Sequence, residues 1–147
     1  MPAHRYPTGV STSQNAVRKI VEIARRKNLP IIENGGYMDL QYGKTCVPTL
    51  KRFDDSGLVL QVGSFSNTLA PGYGMGWLVP GRFRDKIIQM KFAGNLLSGG
   101  IFQRAVADYM QSGNFNRHLR NLRGKLLARM ERGGLRSLSA ISRPAAR

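Results

Sequence analysis

Residues 57–80 read GLVLQVGSFSNTLAPGYGMGWLVP, and this stretch decides the fold predicted for the chain. Its two short apolar runs, 57–66 and 76–80, have the length and composition of buried strands. The loop between them contains Pro71 and Gly74, which favour a turn over a strand. The stretch therefore predicts two strands joined by a loop that carries polar groups to one end of a sheet, where ligands bind in open α/β folds.

The preceding segment is typical of a helix followed by a strand. Residues 13–28 place apolar side chains at helical spacing, and the Ser and Thr residues at 11–13 can provide the N-cap. Residues 29–33 form a short apolar run that ends at Asn-Gly-Gly, 34–36, as a buried strand does before a functional loop. Helix and strand in alternation predict an α/β fold.

Three helices are predicted in the C-terminal half of the chain. They cover residues 82–97, 101–113 and 114–134, because breaks rich in Ser and Gly occur at 98–100 and 112–113.

The last of these helices is amphipathic. Its apolar face carries Phe115, Leu119, Leu122, Leu126 and Met130, and the rest of its surface carries Arg117, Arg120, Arg123 and Arg129. The apolar stripe requires a partner surface. Gly133-Gly134 predicts the end of the helix, and residues 135–147 have too few apolar side chains for an element of their own, so a disordered tail is expected there.

Length and composition predict one folded domain with a strong positive charge. The chain has 147 residues, 41% of them hydrophobic, and a net charge of +15. Residues 1–80 carry nine Lys or Arg against five Asp or Glu, whereas residues 81–147 carry fourteen against three. Such an excess of positive charge in the C-terminal half can mark a surface for nucleic acid or a membrane, and the alternative is a set of arginines on a long solvated helix.

Several other classes of protein are not indicated by the sequence. No apolar run is long enough to span a membrane and the start lacks the pattern of a secretory signal, so a cytoplasmic location is expected. Cys46 has no partner for an internal disulfide and is expected to be an ordinary thiol. His4 and His118 lie far apart without metal-ligand spacing, so no metal site is predicted.

Residues 64–83, SFSNTLAPGYGMGWLVPGRF, resemble the segment SFSKxLAPGxRxGW of class I/II (fold-type I) aminotransferases, and most closely that of MocR-type regulators. These regulators fuse a GntR-type winged-helix DNA-binding domain to an aminotransferase-like domain. Three further stretches agree in the same order: HRYPTG at 4–9, IIENGGYMDL at 31–40 and FNRHLRNLR at 115–123. The resemblance covers about residues 4–132.

The resemblance implies a fold and a division of the chain. The fold is an α/β, three-layer αβα sandwich, of which residues 1–112 would supply the C-terminal half of the aminotransferase large domain. Residues 113–134 would form the long helix that leads towards a small domain not recognisable in these 147 residues.

The resemblance also implies a pyridoxal phosphate (PLP) pocket with three key positions changed. Asn67 lies at the position of the lysine that bonds PLP, Asn34 at that of the aspartate that pairs with the ring nitrogen, and Gly74 at that of the phosphate-binding arginine. An amide nitrogen shares its lone pair with its carbonyl and does not condense with an aldehyde. Transaminase activity is therefore not expected, and PLP is expected to bind weakly and without a covalent bond at most.

Three further positions match residues that surround the cofactor in the family. Ser64 and Ser66 correspond to serines at the phosphate, and Tyr37 to the tyrosine that hydrogen-bonds the ring hydroxyl. The alternatives are that the serines are small residues that fit a strand end and that Tyr37 is a packed aromatic. Tyr6 occupies a position where relatives in the regulator group also carry an aromatic residue.

Two other functions remain open at this point. In an active aminotransferase another amine, that of Lys44 or Lys51, would replace the missing one, and Arg136 or Arg143 would bind the substrate carboxylate by residue type alone. In a binding or assembly protein the basic helices would contact nucleic acid or an acidic protein. The resemblance implies an amino acid or PLP as the ligand and a second copy of the chain in a homodimer. Contact with DNA is expected only through a winged helix outside this sequence, and no contact with a membrane is expected.

Overall fold

The structure, a computed structural model, describes residues 11–41, 47–94 and 99–141, and in the last range it describes side chains as far as Arg132. These ranges contain three strands and four α-helices, in the order α1 (Gln14–Lys27), β1 (Ile31–Asn34), β2 (Val59–Ser64), β3 (Gly76–Val79), α2 (Arg84–Gly94), α3 (Gly100–Gln111) and α4 (Asn114–Ile141). The α/β class predicted from the sequence is confirmed. None of the helices described is both long and apolar enough to cross a bilayer.

The three strands form one mixed sheet in the order β1, β2, β3. β1 and β2 are parallel, with Ile31 opposite Val59, and β2 and β3 are antiparallel, with Gln61 opposite Val79. Because β1 and β2 are parallel, their carboxyl ends lie at the same edge of the sheet, which is the edge where open α/β sheets bind ligands.

Helix α1 begins and ends with local hydrogen bonds that its sequence provides. Ser13 is the N-cap, and its Oγ accepts a hydrogen bond from Ala16 N–H at 3.3 Å. Asn28 ends the helix in the left-handed conformation, with φ at 51°, which Asn tolerates better than most residues. The helix predicted over 13–28 is therefore confirmed.

One hydrophobic core joins α1 to the sheet. Its buried members are Val17, Val21, Leu50 and Val59, with Ile31 and Phe53 packed against them. Each fully buried aliphatic side chain contributes about 1.5 to 3 kcal/mol relative to an exposed one, so this cluster fixes the helix on one face of β1 and β2.

A second core provides the partner surface that the apolar stripe of α4 requires. Phe65, Val106, Phe115 and Leu119 are buried together, so the start of the loop after β2 packs on α3 and α4. The rings of Phe65 and Phe115 meet edge to face, with centroids 5.8 Å apart. Further along the stripe, Met130 is exposed, so only the first part of the stripe is buried.

Helix α4 continues beyond the end that the sequence predicts. It ends at Ile141 and not at Gly133-Gly134, so the predicted stop is wrong and residues 135–141 belong to the helix, not to a disordered tail. Two glycines cost a helix only about 1 kcal/mol each relative to alanine, and the Leu, Arg and Ala residues that follow are good helix formers. Residues 142–147 lie outside the described residues.

The face of the sheet opposite α1 is largely open in the part of the chain that the structure describes. The Ile32 side chain on this face is 74% exposed, and Leu78 is exposed as well. A cavity of about 660 Å³ separates this face from α2. It is lined by Val62, Gly63, Gly76, Trp77, Leu78, Pro80, Arg84, Ile87, Ile88 and Lys91. The open face exposes apolar surface of a kind that folded domains normally cover.

Gly63 is required where the indole of Trp77 crosses β2. A Cβ atom on Gly63 would lie 2.3 Å from Cε2 of Trp77, a separation that no side chain tolerates. The close approach lets β3 pair with β2 and places the intervening loop at the carboxyl edge of the sheet.

Candidate functional site

The carboxyl ends of β1 and β2 bring together several of the residues predicted to form the site. Asn34 is the last residue of β1, and Ser64 is the last residue of β2. The loops that follow these strands hold Tyr37, Ser66 and Asn67. These residues lie close along two neighbouring loops, as expected of a ligand site in an open α/β sheet.

Gly36 is the point where the two loops meet. Its N–H donates a hydrogen bond to Oδ1 of Asn34 at 3.0 Å, and its carbonyl oxygen accepts one from Nδ2 of Asn67 at 3.4 Å. A Cβ atom at position 36 would lie 3.2 Å from Oδ1 of Asn34 and 3.6 Å from Nδ2 of Asn67. Asn34 and Asn67 therefore both bond Gly36, the first at its N–H and the second at its carbonyl oxygen.

The first loop continues into a short 3₁₀ helix, Met38–Leu40, that begins directly after Tyr37. The side chain of Tyr37 is 37% exposed, and its backbone oxygen accepts a hydrogen bond from Leu40 N–H at 3.1 Å. Tyr37 is thus accessible from solvent in the loop that follows β1.

The second loop is held by hydrogen bonds around Ser64 and Phe65. Ser64 Oγ donates to the carbonyl oxygen of Met75 at 3.4 Å and accepts from Ser66 N–H at 3.1 Å. The carbonyl oxygen of Phe65 accepts from the backbone N–H groups of Thr68, Leu69 and Ala70. This tight turn fixes the backbone on both sides of position 67.

Gly74 lies at the end of the same loop, in a turn of its own. It follows the 3₁₀ helix Pro71–Tyr73 in the left-handed conformation, with φ at 56°, and its N–H donates to the carbonyl oxygen of Pro71 at 3.4 Å. A Cβ atom there would have no neighbour within 4 Å. A side chain at position 74 has room, but a residue other than glycine is strained at this φ.

Helix α4 supports the second loop through His118. The ring of His118 donates a hydrogen bond from Nε2 to the backbone oxygen of Thr68 at 2.8 Å, since a carbonyl oxygen can only accept. Thr68 is 2% exposed, and its Oγ1 is buried without a hydrogen-bond partner among the described residues. Sequence reasoning gave His118 no role, and no local signal marks this contact.

Helix α4 also supports the first loop, through Arg123. Its Nε donates a hydrogen bond to the backbone oxygen of Asp39 at 2.7 Å. The sequence places Arg123 with the outward-facing arginines of the helix, and in this respect the prediction is wrong. The side chain is partly buried and connects α4 to the turn that follows Tyr37.

Two buried carboxylates, which sequence reasoning missed, organise the sheet behind the site. Glu33 is 1% exposed, and its carboxylate accepts hydrogen bonds from the N–H groups of Leu50 at 2.7 Å and Lys51 at 3.1 Å. This ties β1 to the segment that precedes β2.

The second is Asp54, which holds the start of β2. Its carboxylate accepts hydrogen bonds from Lys51 Nζ, Ser56 Oγ and the N–H groups of Leu58 and Val59, all within 3.0 Å. Burial raises the pKa of this carboxyl, but the hydrogen bonds, led by that from Val59, outweigh burial and lower the pKa from 3.8 to about 2.

Lys51, one of the two lysines considered as a substitute amine, lies at the wrong end of the sheet. Its Nζ donates to Asp54 Oδ2 and to the carbonyl oxygen of Val59, both at 2.9 Å. Val59 begins β2 and Ser64 ends it, so roughly 17 Å of strand separates this amine from the site.

Other residues named from the sequence lie outside the described residues: His4, Tyr6, Lys44, Cys46 and Arg143, together with the side chain of Arg136. Within the ranges that are described, no group of three His, Cys, Asp or Glu side chains is placed to hold a metal ion.

Comparison with known sequences gives a consistent set of relatives, although no protein-family model matches the chain. The chain is 31% identical over 132 residues to the HTH-type transcriptional regulator YisV of Bacillus subtilis, which covers 89% of this chain and 27% of the relative. It is 32% identical over 123 residues to YjiR of Escherichia coli, with 84% of this chain and 26% of the relative covered. It is 30% identical over 127 residues to NorG of Staphylococcus aureus, with 83% of this chain and 28% of the relative covered. The chain thus spans little more than a quarter of the length of these regulators.

Solved structures give the same fold. A multiple substrate aminotransferase from Thermococcus profundus matches with a TM-score of 0.78 at 29% identity, over 83% of this chain and 30% of that one. The kynurenine aminotransferase of Pyrococcus horikoshii, solved in complex with PMP, matches with a TM-score of 0.79 at 26% identity, over 84% of this chain and 31% of that one. LysN is an α-aminoadipate aminotransferase of Thermus thermophilus that was solved with N-(5'-phosphopyridoxyl)-L-leucine. It matches with a TM-score of 0.76 at 26% identity, over 84% of this chain and 32% of that one.

Sequence and fold agree on the relationship that the ordered motifs predict. The relatives in sequence are HTH-type regulators, and the relatives in structure are aminotransferases, two of which carry forms of PLP. The chain is a partial fold-type I aminotransferase-like domain, related to the aminotransferase domains of MocR/GntR-type HTH regulators.

Proposed function

We propose that this chain is part of the aminotransferase-like domain of a MocR-type regulator in which the PLP pocket no longer carries out transamination. PLP binds there weakly and without a covalent bond at most. The observation that carries this proposal is the pair of hydrogen bonds at Gly36, whose N–H donates to Asn34 and whose carbonyl oxygen accepts from Asn67. Asn34 accepts a hydrogen bond within its own loop and Asn67 donates one across to that loop, and neither residue provides the carboxylate or the amine that the family has at its position.

Asn67 does not fit a covalently bound cofactor. Formation of a Schiff base requires a primary amine, and the nitrogen of an amide is not nucleophilic enough to attack the aldehyde. The Nδ2 of Asn67 is in addition already engaged with the carbonyl oxygen of Gly36.

Asn34 does not fit the role of the family's aspartate. A carboxylate at this position stabilises the protonated ring nitrogen by its charge, whereas an amide provides only a neutral hydrogen bond, which is roughly half as strong. The Oδ1 of Asn34 already accepts the N–H of Gly36, so the ring would receive little from this side chain.

Gly74 removes the third polar contact. A guanidinium binds a phosphate through two parallel hydrogen bonds that are assisted by charge, and glycine supplies neither. What remains for a ligand is the hydroxyl of Ser66, that of Ser64, and the exposed phenol of Tyr37. These groups are sufficient for weak anion and ring contacts.

The proposal includes the place of the chain in a larger domain. Residues 1–112 would form the C-terminal half of the large domain of a three-layer αβα sandwich, and the rest of that domain would cover the open sheet face around Ile32 and Leu78. Helix α4 would lead towards the small domain. In this arrangement DNA is read by a winged helix in another part of the regulator, the protein works in the cytoplasm, and the exposed apolar surface favours a homodimer.

The proposal is tested by an assay for exchange of an amino group between amino acids and 2-oxo acids in the presence of PLP. The chain is compared with the triple variant Asn34→Asp, Asn67→Lys, Gly74→Arg, and PLP binding is followed by absorbance. We expect no exchange, and no shift of the cofactor spectrum to that of an aldimine, for the natural sequence. Measurable exchange would instead support the active aminotransferase with a different amine.

A further inference from the structure

Helix α4 carries far more positive charge than its own acidic residues can balance. Over Asn114–Ile141 it contains seven Lys or Arg residues and one acidic residue, Glu131. The structure describes the side chains of six of these cations and separates the six into two groups with different roles.

Arg123 belongs to the inner side of the helix, where it donates to the backbone oxygen of Asp39. Five others are exposed and have no ion pair among the described residues. They form what we call the basic face of α4, which consists of Arg117, Arg120, Lys125, Arg129 and Arg132. The apolar residues Phe115 and Leu119 are buried on the other side, so the basic face is directed away from the core.

Three cations of the other helices lie within 4 Å of an acidic side chain, whereas none of the five on the basic face does so among the described residues. Arg25 lies 3.8 Å from Asp55, and Arg104 lies 3.1 Å from Asp108. Arg84 is likewise 3.6 Å from Asp85. On the basic face of α4 the charges remain available to an external anion.

The basic face is long and covers about half of the helix circumference. At 1.5 Å per residue, Arg117 and Arg132 are roughly 22 Å apart along the helix axis. At 100° per residue, the small residues Asn121, Gly124 and Ala128 lie between them on the same side. A Cβ atom on Gly124 would meet nothing within 4 Å, so no other described element packs against the helix at this position.

We propose that the basic face of α4 binds the phosphate backbone of duplex DNA without reading its base sequence. A ridge of roughly 22 Å spans about six base-pair steps of 3.4 Å, and phosphate contacts require only cations at suitable intervals. This contact is separate from any winged helix and does not depend on the state of the PLP pocket.

The composition of the face favours a nucleic acid over an acidic protein. Protein interfaces derive most of their affinity from a few buried aromatic and apolar anchors. Residues 117–132 contain no Trp, Tyr or Phe, and their exposed large apolar side chains are limited to Leu127 and Met130. Arginine predominates among the cations of the face, as in sites that bind phosphate.

The test measures binding of the 147-residue chain to a fluorescent duplex of about 20 base pairs and mixed sequence, at several salt concentrations. The first variant combines Arg117→Gln, Lys125→Gln and Arg129→Gln. The matched control combines Lys19→Gln, Arg26→Gln and Lys27→Gln, which removes the same charge from the exposed side of α1. Glutamine has a helix propensity close to that of Lys and Arg, and circular dichroism verifies that both variants keep their helices.

We expect the natural chain to bind with a slope of log K against log salt of about −3 to −4.5, since each phosphate contact contributes about −0.9. The α4 variant should lose about 2.7 from this slope and more than about tenfold in affinity at low salt, whereas the α1 control should retain most of both. Equal losses in the two variants, or no binding at low salt, would overturn the proposal. So would competition by polyglutamate at the same charge concentration as strong as that by unlabelled duplex, because it would identify an acidic protein as the partner.

Discussion

Asn67 donates a hydrogen bond to the backbone oxygen of Gly36 across 3.4 Å, and this bond joins the loops that follow the two parallel strands. Gly36 in turn donates to Asn34, so one residue is held by both asparagines. In the family the corresponding side chains are directed at a cofactor. Here they contribute to the structure of the chain itself, and their loss should affect stability.

Replacing Asn34 tests whether this contact stabilises the loop. Asn34→Ala removes the acceptor of Gly36 N–H, and we expect the free energy of unfolding to fall by about 1 kcal/mol. Asn34→Asp keeps an acceptor oxygen and should lose less. Urea denaturation followed by circular dichroism measures both, and equal losses would show that the acceptor is not what matters.

Glu33 should be the most sensitive polar residue of the sheet. Glu33→Ala leaves the buried N–H groups of Leu50 and Lys51 without their acceptors, and a loss of roughly 2 to 6 kcal/mol follows from about 1 to 3 kcal/mol for each unsatisfied group. Glu33→Gln retains one acceptor oxygen and should lose about half as much. Should the alanine variant not fold, the glutamine variant alone decides the matter, and an unchanged urea midpoint would contradict the assigned role.

Asp54 should make stability depend on pH in the acid range. Its pKa is about 2 in the folded chain and 3.8 as a free side chain, so the unfolded state takes up the proton first as the pH falls. The contribution of the carboxylate, on the order of 2 kcal/mol, is complete above pH 3.8 and is lost as the pH falls towards 2. Urea midpoints of the natural chain and of Asp54→Asn should therefore converge over this interval; a constant difference would contradict the assignment.

Arg123 should matter more than the arginines of the basic face. Arg123→Ala removes a hydrogen bond from a charged donor to Asp39 O, for which we expect a loss of about 1.5 to 3 kcal/mol. Arg117→Ala removes an exposed side chain and should change stability by less than about 0.5 kcal/mol. Thermal unfolding compares the two, and amide exchange at Leu40, whose N–H bonds Tyr37 O, reports whether the turn itself opens. Similar losses in the two variants would mean that Arg123 has no special role.

Local sequence signals predicted the elements because each is determined over a few residues. The cap at Ser13 and the apolar spacing that follows define α1, and the apolar runs define the strands within two residues of their observed limits. The end of α4 was not predictable in this way, since Gly133-Gly134 weakens a helix by an amount that neighbouring residues can offset.

Long-range contacts could not be predicted from the sequence. The bond from Arg123 joins residues 84 positions apart and that from His118 joins residues 50 apart, and neither follows from periodicity. Glu33 reads as a polar residue that ends a strand, although it is among the most buried side chains of the chain. The candidate positions of the site come from resemblance to a family, but the resemblance did not reveal that Asn34 and Asn67 both bond Gly36.

The most direct test of the central claim is to treat the chain with PLP and borohydride and to locate any reduced adduct by peptide mass spectrometry, with Asn67→Lys as the matched variant. Borohydride fixes a Schiff base as a stable secondary amine on the lysine that formed it. For the natural chain we predict no adduct above the level of exposed lysines, and for Asn67→Lys a new adduct at position 67. A stoichiometric adduct on a single lysine of the natural chain, such as Lys44 or Lys51, would contradict the conclusion that its pocket lacks covalent PLP chemistry.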